Sequence, residues 1–292
     1  MIPINKFMQS RQLKVAGFTG RILLQLGIIG LVSSCMPSAH IGNQEYRILT
    51  PNFQDTFDIP PPPDDSTGRT IQLYSTNFYT TQPEQDKNGV PFRNKNGVPI
   101  SDNVSKRNWC LGAQEGSIKT TFHGEEIRLT HAGAFNQAPP YYIDCDAEYN
   151  THNHDLSAYG KSYHVKTDAP FGLGINNYFL VPYRTMALQN GTNSPLKLEK
   201  GDVIYVKAAT NSIVTDPYTG LKYRHDGYFF IGDVGGKVKD IHADTFCGFQ
   251  KNCLFPFTSS DNDHHLMFTA LVITDPSIIE KLKKMHLKSS YR

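Results

Sequence analysis

The strongest constraint on the fold is a series of short segments with the character of β-strands. The segment TIQLYSTNFYTT alternates and is rich in aromatic residues, and GDVIYVKAA and HHLMFTALVI are further strand candidates. The composition agrees, because 23 glycines, 18 prolines and 15 tyrosines favour a chain of strands and loops over a helical bundle. With 292 residues, 39% of them hydrophobic, the chain can bury one medium-sized core. We expect a mostly β fold with one or two helices.

Two further segments predict local structure. KNGVPFRNKNGVPI repeats NGVP eight residues apart, and two Asn-Gly turns predict a hairpin-like arm, although a duplicated loop would give the same pattern. Near the end, TDPSIIEKLKKMHL predicts a helix with Asp275 as N-cap, Pro276 in the first turn and Leu282 on the apolar face.

The N-terminal residues have the pattern of an export signal. Four basic residues within positions 1–21 precede the apolar run ILLQLGIIGLV, which is too short to span a bilayer comfortably. The run ends in LVSSC, which resembles a bacterial lipobox, so we predict that residues 1–35 are a signal peptide and that Cys35 is lipidated. An ordinary signal cleaved near Ser34, or an uncleaved anchor, would also fit. The prediction places the protein in a bacterial cell envelope, lipid-anchored and facing the periplasm.

The cysteines support an oxidising compartment. Of the five cysteines, four remain when Cys35 is set aside, and an even number is typical of proteins whose cysteines are paired in disulfides. Proximity along the chain suggests the pairs Cys110–Cys145 and Cys247–Cys253, although three pairings can be drawn. The sequence lacks a C-x-x-C motif, so disulfides are favoured over a thiolate metal site.

The remaining organisation follows from composition. DIPPPPDDSTG combines four consecutive prolines with acidic and small polar residues, which predicts a stiff tether over residues 36–70, though a disordered tail would have the same composition. Residues 71–274 are expected to form the folded domain with an insertion, and 275–292 a C-terminal helix and tail. The net charge of +2 gives no indication of a nucleic-acid partner.

The segment GDVGGKVKDIHADTFCG has the features of a functional site. Asp233 and Asp244 stand eleven positions apart, and Gly235 and Gly236 follow the first aspartate, where the chain is expected to turn sharply or approach a ligand closely. The spacing of a phosphate-binding loop is absent. Both aspartates could instead cap turns, as aspartates often do.

The second aspartate lies in a stretch that alternates like a strand. On a strand, His242, Asp244 and Phe246 would share one face. A carboxyl group beside an aromatic side chain in a pocket can have a raised pKa, which an acid catalyst requires.

The same segment resembles the signature of the three-aspartate (3D) domain, which typically reads D-T-G-G-A-I-K-G followed by an I-D-x-F-like segment. The segments WCLGAQEGS, LVPYRTMALQ and HDGYFF also resemble parts of longer bacterial 3D proteins, so the resemblance extends over about residues 71–272. The signature residues kept in place are Asp233, Gly235, Gly236, Lys239, Ile241 or His242, Asp244 and Phe246.

The resemblance implies a double-psi β-barrel, a fold shared with the membrane-bound lytic transglycosylase A family. Those enzymes cleave peptidoglycan between N-acetylmuramic acid and N-acetylglucosamine without water and leave a 1,6-anhydro sugar. The resemblance implies that Asp244 is first general acid and then base, and that Asp233 orients groups or tunes its pKa. The muramic 6-hydroxyl replaces an activated water, so one acid/base residue is chemically sufficient.

The resemblance also implies a partner and a binding set. Glycan strands of peptidoglycan would be the substrate, and the mechanism needs no cofactor. The residues expected to bind the substrate are Gly235, Gly236, Lys239, His242 and Asp226.

The sequence departs from the family pattern at several positions, of which Gln189 is the most informative. Gln189 stands after PYRT where the family carries an aspartate, and Val234, Lys237 and Asp240 are atypical. If the missing aspartate only supports the barrel, catalysis survives, but if it sets the charge of the site, the protein binds glycan without cleaving it. The two hypotheses are a lytic transglycosylase-like lipoprotein and a non-catalytic peptidoglycan-binding or structural lipoprotein.

A second polar cluster suggests a third hypothesis. DCDAEYNTHNHD gathers oxygen and imidazole groups that zinc or calcium could use, as in a metal-dependent hydrolase. It has no helix-spaced pair of histidines, and a polar loop near a disulfide explains it equally well, so we predict no metal site. The residues concerned are Asp144, Asp146, His152, His154 and Asp155.

Overall fold

The computed structural model describes residues 47–63, 68–136, 140–150, 156–189, 194–253, 255–258 and 266–292. The predicted signal peptide and the lipidation of Cys35 lie outside these residues. Within the described ranges, no helix has both the length and the apolar character needed to cross a bilayer.

Strands dominate the described chain, which confirms the mostly β prediction. Three α-helices accompany them in the described residues. In chain order the elements are β1 (Thr70–Thr80), β2 (Gln85–Val90), α1 (Lys106–Glu115), β3 (Ser117–Phe122), β4 (Glu125–Ala134), α2 (Cys145–Tyr149), β5 (Ser162–Lys166), β6 (Thr185–Gln189), β7 (Val203–Val206), β8 (Ile213–Thr215), β9 (Lys222–Arg224), β10 (Tyr228–Gly235), β11 (His242–Phe249), β12 (Phe268–Ile273) and α3 (Pro276–Met285).

Six strands close into a barrel in the order β1-β11-β6-β10-β7-β12. β1 pairs with β11 and β10 pairs with β6 in parallel, and the other four pairs are antiparallel. Alternate residues of each strand point inward and fill the barrel, as a small barrel requires. This inner core includes Leu73, Met186, Ile204, Phe229 and Ala243.

A second, smaller unit follows β1 and β2 in the chain. β3, β4 and β5 form an antiparallel sheet, and α1 packs with it around a separate apolar cluster that includes Phe92, Trp109 and Leu129. A disulfide between Cys110 and Cys145, with Cα atoms 5.6 Å apart, joins α1 to α2.

A second disulfide joins Cys247 to Cys253, whose Cα atoms are 5.2 Å apart. Both cysteine pairs suggested by proximity are therefore present.

Only one of the two NGVP copies makes a turn. In the second copy, Asn94 and Val98 close a turn with an N–H···O bond of 3.0 Å, and Gly97 adopts a left-handed φ of 75°. In the first copy, Gly89 lies in β2, where a Cβ atom would come within 1.9 Å of the Val104 carbonyl oxygen. The glycine there allows close approach of two chain segments and forms no Asn-Gly turn, so the predicted arm has one such turn.

Residues 47–63 pack against the barrel, although the sequence predicted a tether over 36–70. Phe57 and Ile59 are 8% and 5% exposed. The fully buried Arg184 binds Asp55 at 2.5 Å (Nε to Oδ2) and Asp226 at 2.6 Å (Nη1 to Oδ1). A buried guanidinium needs such carboxylate partners, so Asp55 anchors this segment through charge as well as through apolar contact.

The C-terminal helix is confirmed. α3 begins after Asp275, whose carboxylate accepts a hydrogen bond from the Ser277 N–H at 2.8 Å, and Pro276 occupies the first turn. Leu282 is fully buried, and Ile278 and Met285 pack beside it on the same apolar cluster. The helix thereby covers the outside of the barrel next to β7 and β10.

Replacing Arg184 is expected to destabilise the fold strongly. Arg184→Met would leave Asp55 and Asp226 buried without their cation, at a cost of about 3–5 kcal/mol. Urea unfolding at pH 7 measures the loss. Lys281→Met is the matched control, because Lys281 and Asp58 form an exposed pair at 3.2 Å whose loss should change stability by less than about 0.5 kcal/mol. Equal effects of the two substitutions would contradict the anchoring role.

Candidate active site

The two predicted aspartates lie on the same outer face of the barrel, one strand apart. Ala187 of β6 pairs with Asp244 of β11 on one side and with Asp233 of β10 on the other. Residues in register on neighbouring strands project to the same face, and two strand spacings place the two aspartate backbones roughly 10 Å apart. We call this surface the aspartate face; it comprises Tyr74, Thr76, Asp233, His242 and Asp244.

A β-bulge turns Asp233 toward this face. Phe229 and Ile231 point into the barrel, and strict alternation would send Asp233 inward as well. The pairing of β10 with β6 shifts between Ile231 and Asp233, so Gly232 is an extra residue that reverses the alternation. A Cβ atom at Gly232 would lie only 3.1 Å from the side chains of Phe230 and Thr185, so a glycine suits the bulge.

Asp244 is held by two neighbours. The Thr76 hydroxyl, opposite it on β1, donates to Asp244 Oδ1 and lies 2.9 Å from His242 Nε2. His242 Nε2 is also 3.0 Å from Asp244 Oδ1, and the imidazole stacks on Tyr74 at a centroid distance of 4.6 Å. The Asp244 side chain is still 21% exposed. An oriented carboxyl group that remains accessible can exchange a proton with a ligand.

Asp233 has an unusual proton affinity. Burial raises its pKa to about 7, and the charge of Asp244 adds to the shift, although the N–H groups of Val234 and Ile175 favour the carboxylate. Gly174 lies so close that a Cβ atom there would be 3.2 Å from Asp233 Cγ. Near neutral pH, Asp233 therefore titrates between its charged and neutral forms.

A third carboxyl group, Glu115, was not recognised from the sequence. Its Oε2 accepts a hydrogen bond of 3.0 Å from the Tyr79 N–H of β1. Burial raises its pKa to about 8, and the charge of Asp244 contributes in the same direction. Tyr159 shares this region, because burial and then the charges of Glu115 and Asp244 raise its pKa to about 12. Glu115 lies within WCLGAQEGS, but only the packing of α1 against β1 gives it a place near Asp244.

The loop between β10 and β11 contains the remaining signature residues. Gly235 is tightly placed, since a Cβ atom would lie 2.4 Å from Val238 Cγ2, whereas Gly236 has open space around it. Lys239 is exposed, and its carbonyl accepts a 2.9 Å hydrogen bond from the His242 N–H, which starts β11. Gly236 and Lys239 thus border open solvent at one end of the aspartate face.

Gln189 supports that loop. It pairs with Gly235, and its Oε1 accepts a 3.0 Å hydrogen bond from the Asp240 N–H, where the backbone has a φ of 56°. The glutamine at this atypical position therefore has a structural partner, and the Asp233–Ala187–Asp244 alignment is formed with it in place.

Asp226 belongs to the structural ion pair. Its carboxylate binds Arg184 and accepts hydrogen bonds from the N–H groups of Ile59 and Tyr228, and the residue is 7% exposed. Little of Asp226 is accessible to a glycan, and its predicted role in substrate binding stays a prediction. His225 is likewise buried, its pKa lowered to about 4 chiefly by burial.

The polar cluster at residues 144–155, for which we predict no metal site, is only partly described. Asp144 caps α2 by accepting from the Ala147 N–H, and Asp146 accepts from the Leu156 N–H. His152, His154 and Asp155 lie outside the described residues. In the part of the chain that the structure describes, no three His, Cys, Asp or Glu residues are grouped as metal ligands would be.

Comparisons with known proteins add a structural similarity. No protein-family model matches the sequence, and no curated protein does. The fold is similar to Escherichia coli MltA with bound chitohexaose, with 13% identity, a TM-score of 0.44, and coverage of 70% of this chain and 72% of that chain. It is similar to another E. coli MltA structure, described as a unique lytic transglycosylase fold, with 15% identity, a TM-score of 0.37 and coverage of 73% and 74%.

MltA from Neisseria gonorrhoeae in its monoclinic form is a further similar structure, with 14% identity, a TM-score of 0.34, and coverage of 63% of this chain and 51% of that chain.

Replacing Asp233 should stabilise the protein at alkaline pH. Its pKa of about 7 in the folded protein exceeds the ordinary 3.8, so its contribution to stability is present below about pH 4 and is lost as pH rises through 7. We expect Asp233→Asn to be more stable than the parent at pH 8, by on the order of 1–3 kcal/mol, and to lose that advantage toward pH 4. Urea unfolding at pH 4.5 and 8 measures this difference. The exposed cap variant Asp275→Asn is the control, and an unchanged effect of Asp233→Asn at the two pH values would refute the raised pKa.

Proposed function

We propose that this protein is a lytic transglycosylase-like enzyme of the bacterial cell envelope that cleaves peptidoglycan between N-acetylmuramic acid and N-acetylglucosamine. The observation that carries the proposal is the setting of Asp244. It is an accessible carboxyl group held by Thr76 and His242, aligned with Asp233 across Ala187, at the position that the 3D resemblance assigns to the acid/base. An enzyme that needs one positioned acid/base beside further carboxyl groups fits this arrangement.

Asp244 would perform both proton transfers. In its protonated form it donates a proton to the glycosidic oxygen as the bond from that oxygen to C1 of the muramic residue breaks. The resulting carboxylate then accepts the proton of the muramic 6-hydroxyl while O6 bonds to C1. The product is the 1,6-anhydro sugar, no water is consumed, and Asp244 regains its proton. Because the attacking hydroxyl belongs to the substrate, proximity replaces a second catalytic carboxylate.

The neighbours of Asp244 would orient it. The Thr76 hydroxyl and His242 Nε2 both contact Oδ1, which leaves Oδ2 to face the glycosidic oxygen. Tyr74, stacked on His242, extends the same face and presents an aromatic edge along which a sugar can lie. Gly236 and Lys239 would border the glycan at the open end of this face.

We further infer that the barrel is of the double-psi type. Six strands form a closed barrel that contains two parallel pairs, β1 with β11 and β6 with β10, and a double-psi barrel needs both features. Anchoring through Cys35 and an orientation toward the periplasm rest on the sequence pattern, and two disulfides agree with an oxidising compartment.

The rival hypothesis is a glycan-binding protein without activity, suggested by Gln189. The bond from the Asp240 N–H to Gln189 Oε1 supports the enzyme instead, because the glutamine then stabilises the loop and removes no group that the proposed proton transfers use.

Asp244→Asn should abolish cleavage. An amide cannot donate and take back the proton, so the yield of anhydro-muropeptides from purified sacculi should fall by at least about 100-fold, as mass spectrometry would show. Asp275→Asn, the same substitution at an exposed helix cap, should retain the yield of the parent. A parent protein that sediments with sacculi but releases no anhydro products would establish the binding hypothesis.

Thr76→Val should reduce turnover while preserving the fold. Valine matches the shape of threonine but lacks the hydroxyl that donates to Asp244 Oδ1, so we expect kcat to fall about 10- to 100-fold. Thr76→Ser keeps the hydroxyl and should recover most of the activity. Thermal melting checks that both variants are folded. Equal turnover of the valine and serine variants would remove Thr76 from the site.

A further inference from the structure

The hairpin formed by β8 and β9 presents apolar side chains to solvent on a surface that the proposed mechanism does not use. We propose that this hairpin docks against a bilayer that contains anionic phospholipids. In this contact the apolar side chains at the tip enter the headgroup region, and the basic side chains beside them lie against the lipid phosphates. We call this surface the hairpin face; it comprises Ile213, Tyr218, Leu221, Lys222 and Arg224.

One side of the hairpin packs on the barrel. Val214 and Tyr223 lie opposite each other in the two strands, and both pack against the inner core, where Val214 is only 2% exposed. Residues opposite each other share a face, so the next pair, Ile213 and Arg224, points the other way. The barrel therefore fixes the hairpin through one face, and the second face is turned toward solvent.

The outward side and the tip form an apolar patch. Ile213 and Leu221 are each 52% exposed, and Tyr218 is 45% exposed although its ring contacts Phe171 at a centroid distance of 4.9 Å. Three of the eight large hydrophobic side chains that are exposed in the described chain therefore belong to this one hairpin. Single exposed apolar residues are ordinary, whereas a group of them marks a contact surface.

Backbone hydrogen bonds hold the tip in one conformation. The Asp216 N–H donates to the Leu221 carbonyl and the Gly220 N–H donates to the Asp216 carbonyl, both at 2.8 Å. The carboxylate of Asp216 accepts from the N–H groups of Tyr218 and Thr219, also at 2.8 Å. The one acidic residue of the hairpin is thus occupied by the turn backbone, and a tip that is already ordered loses little entropy on docking.

Basic side chains accompany the apolar patch. Lys222 and Arg224 are exposed on β9, and Lys251, also exposed, lines the same hollow as Ile213. Among the described residues, no carboxylate forms an ion pair with any of these three cations. Apolar side chains with free cations beside them complement a surface that is anionic outside and apolar beneath. A bilayer also needs no matching shape, whereas a protein partner of standard size needs about 800 Å² from each side.

The hairpin lies beside the first described segment of the chain. The ring centroids of Phe57 and Tyr223 are 6.2 Å apart, and Gln54 Nε2 donates to the Tyr223 hydroxyl. This segment follows the predicted lipidation site at Cys35. A lipid anchor there would tether the bilayer through the segment that the hairpin contacts, so the anchor and the hairpin face would reinforce each other.

The first test is sedimentation with vesicles, which needs no turnover and is independent of the proposed function. The compact unit extends from Glu45 to Arg292, so a chain of residues 36–292 retains it and lacks the cysteine that would be lipidated. We expect this chain to bind vesicles of phosphatidylglycerol and phosphatidylcholine at least about tenfold better than vesicles of phosphatidylcholine alone. Raising the salt from about 0.05 to 0.5 M should weaken that binding. Equal binding to both vesicles, or to neither, overturns the proposal.

Charge and apolar contact are tested by separate substitutions. Replacing both cations of β9, Lys222→Gln with Arg224→Gln, should lower the partition coefficient for the anionic vesicles about 10- to 30-fold. Leu221→Ser should lower it about fivefold or more, because less apolar surface leaves water. All three positions are exposed, so the fold should be kept, and thermal melting checks this.

The matched controls lie on β2 and on the turn of the second NGVP copy. Lys87→Gln with Lys95→Gln removes two exposed charges, and Val98→Ser removes an apolar side chain that is 52% exposed, as Leu221 is. Both controls should bind the vesicles as the parent does. Hairpin variants that bind as well as the parent, or controls that lose as much binding as the hairpin variants, overturn the proposal.

Two further measurements identify what contacts the hairpin face. Amide hydrogen exchange of residues 213–224 should slow when anionic vesicles are added, and exchange at residues 94–98 should not change. Sedimentation equilibrium without vesicles tests a second copy of the chain as the occupant. A parent that ignores vesicles but self-associates, with the association lost in Leu221→Ser, assigns the hairpin face to contacts between copies and overturns membrane docking.

Discussion

Closure of the barrel is the constraint on which the rest of the structure depends. Each strand of the closed barrel points alternate side chains inward. Only every second side chain on β1, β11, β6 and β10 can therefore reach the outer face. On β1 and β11 the alternation alone brings Thr76 to Asp244. On β10 it would bury Asp233 in the barrel, and the extra residue Gly232 corrects this. Asp233 therefore joins the aspartate face because one strand departs from regular pairing.

The poorly hydrated carboxyl groups of this protein lie in two different electrostatic settings. Asp55 and Asp226 lie against the Arg184 guanidinium, where their charge is neutralised and contributes to the packing of residues 47–63. Asp233 and Glu115 are half-buried and accept hydrogen bonds from backbone N–H groups, and among the described residues no cation pairs with either one. Loss of hydration raises the pKa of both. The first arrangement stabilises the fold, whereas the second lowers the stability of the fold as pH rises toward and above neutrality.

Local patterns in the sequence predicted much of this arrangement. The alternation of His242, Asp244 and Phe246, the cap at Asp275 and the nearby cysteine pairs all depend on residues close in the chain. Thr76 could not be found in that way, since it reaches Asp244 only through the pairing of strands more than a hundred residues apart. Glu115 likewise meets Tyr79 of β1 only because α1 packs against that strand.

Two other expectations failed for related reasons. Proline-rich composition indicated a tether, but it gives no sign that Asp55 meets an arginine far along the chain. Likewise, the first Asn-Gly pair has the composition of a turn, but the contact between Gly89 and Val104 places it in a strand. In each case a long-range contact outweighs the local preference.

The packing of residues 47–63 changes where the folded unit begins. Thr50 and Arg292 exchange two backbone hydrogen bonds of 2.8 Å, so the two ends of this unit are tied together beside α3. A fragment cut at the first strand, near residue 70, would keep every barrel strand yet lose that tie and leave Arg184 with a single carboxylate. The barrel therefore begins at β1, but the folded domain also includes residues 47–63, because Asp55 in that segment is one of the two carboxylates that neutralise the buried Arg184.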